Sequence, residues 1–481
     1  MINESGTFSL ALPIVAIAAS ALVMLLAGIL SKRDHAFAIT GAAIFVFAIV
    51  GRLVFVAPTG VGFHGMLINN GFTRFADILV LLGAIGALVL SASFNQRVGI
   101  ARFEYPLLVM FAVIGMLVLI SADNLLSLYV GFEIQSLSLY VLAAFARNNL
   151  RSAEAGLKYF VLGALSSGLL LYGISLVYGF AGTLDCGGIA RAASGATGAR
   201  LGSMVGLVFV LVGLAFKVSA APFHMWTPDV YEGSPTSVTS FFATAPKVAT
   251  MALLARVLFV PFGPMLPHWQ LLVEIIAALS MMVGAIGAIR QTNIKRLLGY
   301  SAVGHMGYAL IGIAAGTAAG LRGTLIYIAI YVVMSLGTFG CVAAMSRKGK
   351  PVERIDDLAG MAGEDPRYAL ALAIFMWSMA GIPPLAGFFG KLYVFLAAIH
   401  SGLDVLAVIA IATSVIAAFY YLRVIKVMYF DRGAPGFDPR SIGMNVVIYA
   451  SAIGLVLFIF VPGSVTVASA QAAHVLLGSG F

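Results

Sequence analysis

The sequence predicts an all-α integral membrane protein of about fourteen transmembrane helices. Of its 481 residues, 61% are hydrophobic and only 10% are charged, whereas soluble domains average about 25% charged residues. Apolar stretches of about 20 residues, the length that crosses a bilayer, recur along the chain, and the sequence lacks the alternating ten-residue segments of a membrane β-barrel. This composition excludes a soluble enzyme, a disordered chain and a nucleic-acid-binding protein.

The predicted spans follow one another along the chain with short loops between them. In order they cover residues 8–30, 36–57, 75–94, 106–121, 123–146, 152–179, 201–231, 237–260, 271–290, 296–318, 322–346, 368–399, 403–428 and 441–461. They form a single predicted membrane domain, 1–481, with a three-helix segment 1–105, five-helix units 106–260 and 271–428, and a C-terminal helix in 429–481.

Basic residues are shared unevenly between the two sets of loops. With the N-terminus outside, 18 of the 28 lysines and arginines, including Lys32 and Arg33, fall on the inner side, 6 on the outer side and 4 within spans. Cytoplasmic loops are enriched in lysine and arginine, so this split predicts both termini on the periplasmic side of a bacterial inner membrane. Cys186 and Cys341 then lie at opposite ends and are not expected to pair.

When basic residues within about five positions of a span end are assigned to the adjoining loops, the four that remain inside the predicted spans are all lysine, namely Lys158, Lys217, Lys247 and Lys391. A buried lysine releases its proton readily, whereas arginine stays charged. An unpaired lysine at the centre of a span costs about 2.5–3.5 kcal/mol. Each is therefore expected to pair, to line a hydrated interior, or to extend to the interface.

Other titratable side chains mark the faces of further spans. Glu133 lies near the middle of the fifth span, and Glu154 is one turn from Lys158, where it can form an ordinary ion pair. His305 shares a helix face with Tyr308, and a hydroxyl stripe on the eleventh span contains Thr324, Tyr327, Tyr331, Ser335 and Thr338. These faces favour a hydrated path. A neutral buried acid at Glu133, a packing role for His305 and hydroxyls that only join helices stay open alternatives.

Two spans contain proline within their course, close to a lysine. The seventh has Pro222 after Lys217, and the twelfth has prolines at 383–384 before Lys391. Proline interrupts the helical hydrogen bonds, and free backbone groups at membrane depth persist only against protein or water. Because the two spans are five apart, they cross in opposite directions, which predicts an inverted repeat of spans 4–8 and 9–13. A plain kink is the alternative, and Pro246 marks a third, weaker point.

Three stretches resemble motifs of the antiporter-like, proton-translocating subunits of respiratory complex I, the NADH-quinone oxidoreductase. They cover residues 217–235, 294–301 and 381–391, and the resemblance extends over nearly the whole chain. Within that family, Trp226-Thr-Pro-Asp-Val-Tyr-Glu-Gly is similar to the branch called subunit N, the bacterial counterpart of mitochondrial subunit 2. The multi-subunit sodium/proton antiporters share the fold but differ in this run.

The resemblance implies that a row of side chains carries protons across the membrane. The residues concerned are Glu133, Lys158, Lys217, Lys247, Lys295, His305 and Lys391. Glu133 and Lys217 resemble the family's intramembrane ion pair, with Lys158 as an additional base. Lys247 and Lys391 resemble the central and terminal groups of the path.

Lys295 also matches a family lysine, but it lies beside Arg290 and Arg296. From the sequence, a cation at the membrane interface and a proton-carrying group are equally open for Lys295.

An electrostatic relay is the simplest mechanism for such a row. Opening the Glu133–Lys217 pair unmasks a cation, which acts on a second charge about 7 Å away with roughly 2.4 kcal/mol at an effective dielectric of about 20. We expect that push to drive a proton from Lys247 through His305 and the tyrosines toward Lys391 and the outer side.

The resemblance also implies where the redox chemistry takes place. Two cysteines do not build a four-cysteine iron–sulfur site, so no cofactor and no metal is expected in this chain, and FMN, iron–sulfur clusters and quinone are expected in partner subunits. The implied partners are subunit M, the small subunits K and J, the lateral helix of subunit L and membrane lipids. A sodium/proton antiporter subunit and a structural scaffold without transport are the alternatives.

Overall fold

The computed structural model describes residues 8–31, 35–195, 197–433 and 436–478. Its helices are α1 (Leu12–Leu30), α2 (Ala36–Val56), α3 (Gly71–Val98), α4 (Glu104–Ser121), α5 (Leu125–Ala143), α6 (Leu150–Ala181), α7 (Cys186–Ala193), α8 (Thr197–Val218), α9 (Trp226–Gly233), α10 (Thr236–Phe242), α11 (Ala245–Phe259), α12 (Leu266–Ala288), α13 (Ile294–Ala314), α14 (Ala318–Ala344), α15 (Met361–Glu364), α16 (Pro366–Ala380), α17 (Ala386–His400), α18 (Asp404–Phe430), α19 (Ile442–Leu457) and α20 (Gly463–Gly478). Short 3-10 helices lie at Phe63–Gly65, Gly263–Met265 and Ile355–Leu358. Two antiparallel hairpins, β1 (Gly60–Gly62) with β2 (Leu67–Asn69) and β3 (Ser346–Arg347) with β4 (Lys350–Pro351), complete the fold.

The described helices confirm the predicted all-α membrane fold. Twelve helical stretches in the described ranges are long and apolar enough to cross a membrane. Two further spans consist of two shorter helices each, α16 with α17 and α19 with α20. The innermost spans are α10–α11, α13 and α14, which are buried by protein over nearly their whole length.

The predicted last span, 441–461, is too short. The chain continues after Pro462 as α20, and α19 and α20 together follow α3 along its length, with Gly443 beside Val89 and Val475 beside Gly71. Serine, threonine and alanine make α20 only mildly apolar. Its small side chains are nevertheless buried against neighbouring helices, so packing rather than hydropathy decides this span.

Both predicted breaks are present. The seventh span ends its first half, α8, at Val218 and resumes as α9 at Trp226, while the twelfth stops at Ala380 and resumes at Ala386. The eighth span is also interrupted, between α10 and α11, immediately before Pro246. The first five-helix unit therefore contains two breaks, one after Val218 and one at the weaker point marked by Pro246, whereas one broken helix was predicted for each unit. The limits of the two units, 106–260 and 271–428, stay a prediction.

Most of the described basic loops meet at one end of the bundle, which we call the basic end. Residues from the loops 99–103, 144–149, 289–293 and 345–365 line one cavity there of about 500 Å³. The first and last described residues lie at the opposite end, where Leu10 adjoins Ser121 and Val475 adjoins Gly71, as an even number of spans requires. Lys32 and Arg33 fall outside the described residues.

The polar stretch 347–367 is folded rather than extended. Hairpin β3–β4 is held by Asp438, whose carboxylate accepts the backbone N–H groups of Lys348 (3.0 Å) and Gly349 (2.9 Å). The N–H groups of Gly349 and Lys348 lower the pKa of Asp438, because they stabilise its charged form.

Glycines bring the first two helices of each predicted unit into backbone contact. A Cβ at Gly115 of α4 would lie 2.4 Å from the backbone nitrogen of Gln135 on α5. A Cβ at Gly284 of α12 would lie 2.5 Å from the nitrogen of Gly304 on α13. Small residues permit this approach in membranes, and the same device joins the fourth to the fifth span and the ninth to the tenth.

We predict that Gly115→Val lowers the stability of the folded chain by about 1–3 kcal/mol, because overpacking forces α4 and α5 apart. The measurement is the thermal midpoint of the purified complex in detergent. Gly168→Val is the matched control, since nothing lies within 4 Å of a Cβ at Gly168. Equal midpoints for the two variants would contradict the close contact at Gly115.

Candidate functional site

Lys217 lies at the end of α8, where the seventh span breaks, and only 3% of it is exposed. Its Nζ donates a hydrogen bond to Ser136 Oγ at 2.6 Å. The ammonium also lies 4.9 Å from the ring centre of Phe132 and within 6 Å of the rings of Tyr140 and Tyr159. Aromatic faces stabilise a cation, so α5 and α6 provide the surroundings of Lys217.

Glu133 does not contact Lys217 in this structure. It lies one turn before Ser136 on α5, its Oε1 is buried without a hydrogen-bond partner, and no ion pair within 4.0 Å joins it to the lysine. The hydroxyl of Ser136 occupies the place that the resemblance gave to the carboxylate. The implied ion pair is therefore open here.

Lys247 binds the broken end of the seventh span. It is 1% exposed, and its Nζ donates to the carbonyl oxygen of Val218 at 2.9 Å and to the hydroxyl of Ser219. The last carbonyls of a helix have no partner within it and carry partial negative charge. Lys247 thus supplies a donor and a positive charge where Pro222 leaves the helix open.

An aromatic stack joins the two lysines. The rings of Tyr159 and Trp226 are 4.4 Å apart and nearly parallel, and the indole N–H of Trp226 donates to the carbonyl of Phe216 at 2.9 Å. Lys217 lies 5.9 Å from the tyrosine ring and Lys247 5.3 Å from the indole. Positive charge on either amine is therefore stabilised by one rigid pair of rings.

His305 is buried among tyrosines on α13. Its Nδ1 is 2.7 Å from the hydroxyl of Tyr327, and its Nε2 is 3.1 Å from that of Tyr421. The ring centres of His305 and Tyr331 are 5.3 Å apart. Both nitrogens have partners that donate or accept, so the imidazole can pass a proton from one side to the other.

Lys391 repeats the contact of Lys247 at the second predicted break. It is 4% exposed, and its Nζ donates to the carbonyl of Ala380 (2.9 Å) and the hydroxyl of Ser414 (2.8 Å). Ala380 ends α16, as Val218 ends α8. Gly381 follows with φ 79°, and a Cβ there would lie 2.7 Å from the lysine chain, so glycine lets the amine reach the break.

Two groups of contacts are separate in this structure. Among the described residues, no direct hydrogen bond joins the partners of Lys247 to those of His305. Lys391 reaches the histidine group through Tyr308, whose ring lies 4.7 Å from its ammonium. A proton that crosses from Lys247 to His305 therefore needs bridging water.

Lys158 is not an interior group. Its side chain is 44% exposed and pairs with Glu154 at 2.8 Å and with Asp229 at 2.9 Å. Asp229 also binds Arg296 (2.6 Å), which in turn binds Glu232 (3.0 Å). The ordinary ion pair left open by the sequence is present, and it belongs to a charged network that ties α6 and α9 to α13.

Lys295 is buried but also paired. Its Nζ donates to the carbonyl of Ser234 (2.6 Å) and to Glu353 (2.9 Å), and Glu353 lies in the loop at the basic end. The contact joins α13 to the turn after α9. This geometry favours a fixed cation near the membrane interface at Lys295 over a proton-carrying group.

Two charged residues at the opposite end were missed or misplaced by the sequence reasoning. Arg256, assigned to an outer loop, lies within α11 and is 2% exposed, so the expectation that only lysine is embedded is wrong. Asp77, a buried carboxyl in α3, received no role. The signal was available, because an acidic residue lies inside the predicted span 75–94.

The known proteins similar to this chain align with nearly its whole length. The profile of the family described as NADH:quinone oxidoreductase/Mrp antiporter, TM, matches residues 122–417. NADH-quinone oxidoreductase subunit N 1 of Acidiphilium cryptum is 68% identical over 474 residues, which are 98% of this chain and 99% of the relative. Subunit N of Rhodospirillum rubrum is 53% identical over 473 residues, 96% of each chain. In a solved structure of respiratory complex I from Thermus thermophilus with bound aureothin, one chain is 32% identical with a TM-score of 0.82, covering 95% of this chain and 99% of that one.

We predict that Glu353→Gln lowers the stability of the folded chain by about 1–3 kcal/mol, because it leaves the ammonium of Lys295 buried without a counter-charge. The measurement is the thermal midpoint, with Lys295→Met/Glu353→Gln as the matched control, which removes both charges. We expect the double variant to recover most of the loss. A double variant less stable than Glu353→Gln would show that Lys295 does more than pair with Glu353.

Proposed function

This chain belongs to the NADH-quinone oxidoreductase subunit N family, and from that premise we propose that it translocates protons in the membrane arm of that complex. One observation carries the proposal. Within the described part of the chain, the hydrogen bonds of the three deeply buried amines near the breaks go to neutral oxygens, those of Lys217 to Ser136, of Lys247 to Ser219 and Val218, and of Lys391 to Ser414 and Ala380. A carboxylate partner would hold the charged form, whereas neutral oxygens also tolerate an uncharged amine.

The same criterion separates the remaining predicted residues. Lys158 and Lys295 each bind a carboxylate, which favours a permanent charge, so we assign them to anchoring rather than to transfer. Glu133, Lys217, Lys247, His305 and Lys391 then form the proposed path. This assignment narrows the seven candidates to five.

Coupling in this proposal begins at Glu133. Its carboxylate and Ser136 lie one turn apart on α5, so Lys217 can exchange one partner for the other by a side-chain rotation. When Lys217 is released from Glu133, its charge disfavours a second charge on Lys247. The proton on Lys247 then moves through water to His305 and onward to Lys391.

We further propose that the redox chemistry takes place elsewhere in the complex. FMN, iron–sulfur clusters and quinone would lie in partner subunits, and this chain would contact subunits M, K and J and the lateral helix of subunit L. The two cysteines support this division, because Cys186 and Cys341 are separately buried and too few for an iron–sulfur site. The energy would then arrive as a change in conformation or charge at the flank of the subunit.

We predict that Lys247→Met and Lys247→Arg both lose the proton pumping that depends on this subunit. Methionine carries no proton and arginine does not release one, although arginine keeps the positive charge. The measurement is NADH-driven acidification of inverted membrane vesicles, divided by the rate of NADH oxidation. Full pumping by the arginine variant would mean that a fixed charge suffices and would refute proton transfer by Lys247.

The control for this experiment is Lys158→Arg, which keeps the charge of an exposed ion pair and should pump normally. Loss of pumping in both Lys247 variants, with normal NADH oxidation and normal pumping by Lys158→Arg, supports the proposed function; unchanged pumping in both Lys247 variants favours a structural scaffold. Sodium is varied in the same vesicles. A requirement for sodium would favour the antiporter alternative.

We propose that both termini face the periplasm, with the basic end in the cytoplasm. Two matched variants test this orientation, Arg354→Cys at the basic end and Arg191→Cys at the opposite end, both at exposed positions. The native thiols give little background because both are buried, and burial raises the pKa of Cys186. A membrane-impermeant maleimide should label Arg191→Cys in intact spheroplasts and Arg354→Cys in inverted vesicles. The reverse pattern would invert the topology.

A further inference from the structure

Asp77 is a buried acid that the proposed path does not use. It lies in α3, is 9% exposed, and its Oδ1 is buried without a hydrogen-bond partner. A buried polar oxygen without a partner loses its hydration without compensation. Either a water molecule that donates a hydrogen bond or a proton bound to the carboxylate would offset this loss.

A small cavity adjoins Asp77. Its volume is about 20 Å³, and Asn69, Thr73 and Ser121 are among the residues that line it. One water molecule needs about 10–15 Å³ and two to four polar partners, and the site provides both. Thr73 Oγ1 donates to Asn69 Oδ1 at 3.2 Å, and Asn69 Nδ2 donates to the carbonyl of Pro58 at 2.8 Å. These polar contacts therefore lead from the cavity beside Asp77 to Pro58, in the loop that follows α2.

The depth of Asp77 follows from the packing of α3 on α11. Gly83 of α3 adjoins Ala245, where the eighth span breaks, and Phe72 lies beneath Arg256, with 5.6 Å from ring centre to guanidinium. At 1.5 Å per residue, Asp77 lies about 9 Å along α3 from Gly83 and about 7.5 Å from Phe72. Along the membrane normal, Asp77 therefore lies between the break of the eighth span, next to Lys247, and Arg256.

Arg256 extends this row of buried polar groups toward the surface. Its Nε and Nη2 are buried without hydrogen-bond partners, and its Nη1 lies 3.8 Å from Oδ1 of Asp123, which is 24% exposed. Two buried groups with unpartnered atoms thus follow one another along α3 and α11. Such a run is expected of a pathway that holds water during function.

We propose that Asp77 is a proton-transfer residue that connects Lys247 to the opposite end of the first five-helix unit, an outlet separate from the one through Lys391. This inference rests on the proposed function. The ammonium of Lys247 gives its proton to a water, the carboxylate of Asp77 takes one up, and the neutral acid releases it to the water beside Thr73. No redox step is involved.

The connection is closed in the state seen here. Val80 and Leu81 on α3 and Met251 on α11 occupy the helix positions between the two titratable groups, and all three are buried. Water must enter this apolar interval before a proton crosses it.

The test compares Asp77→Asn, Lys247→Met and the double variant in the intact complex, using NADH-driven acidification per NADH oxidised. We expect Asp77→Asn to lose the part of the pumping that leaves through this outlet. The double variant should lose no more than Lys247→Met alone, because Asp77 and Lys247 act in series and their effects are not additive. Asp77→Glu, which keeps a carboxyl group at this position, should pump better than Asp77→Asn. A reaction-induced infrared difference spectrum should contain a protonated-carboxyl band that Asp77→Asn removes and Asp77→Glu shifts.

Asp185→Asn is the control, because it neutralises an exposed carboxylate at the same end. If Lys247→Met stops pumping and Asp77→Asn leaves it unchanged, the proposed function stands and this inference falls; if neither variant lowers pumping, both fall. Should Asp77→Asn fail to assemble, the charge-balanced pair Asp77→Asn/Arg256→Gln replaces it with the same expectations. Normal pumping by that pair would equally overturn the inference.

Discussion

The bond between a buried lysine and the last free carbonyl of a broken helix is the interaction on which the rest of the site depends. A backbone break at membrane depth is stable only if protein or water satisfies its free groups. Lys247 binds the carbonyl of Val218 and Lys391 that of Ala380. Each break supplies an acceptor for a cation that lipid would not tolerate, and each cation supplies the donor that the break lacks. Neither feature is expected to persist without the other.

That interaction also explains why amines rather than carboxylates occupy the centre. The carboxyl end of a half-helix carries partial negative charge, which favours a cation without fixing it as strongly as a carboxylate would. Lys158 and Lys295 show the contrast, because both bind carboxylates at the basic end. In the proposed mechanism lysine therefore serves two purposes, proton transfer where it binds neutral oxygens and anchoring where it binds a carboxylate.

The sequence was sufficient for the features that depend on composition and proline. Long apolar runs predicted the spans, and Pro222 and the prolines at 383–384 predicted the two main breaks. It was insufficient where packing decides, because α20 is too polar to be recognised as part of a span, and hydropathy does not say which face of α6 Lys158 occupies. Arg256 was misplaced for a related reason, since a position near the end of a span can still be covered by neighbouring helices.

The arrangement of Lys217 and Lys247 makes their charges interdependent. Both contact the single Tyr159–Trp226 stack, and in this structure the bonds of each amine go to uncharged oxygens. Two cations so placed would repel each other in a medium that screens weakly, which disfavours the state in which both are charged. A carboxylate that approaches Lys217 would offset its charge and let Lys247 take up a proton. Its withdrawal would reverse the preference, so in the proposed mechanism the distance from Glu133 to Lys217 would control whether Lys247 holds its proton.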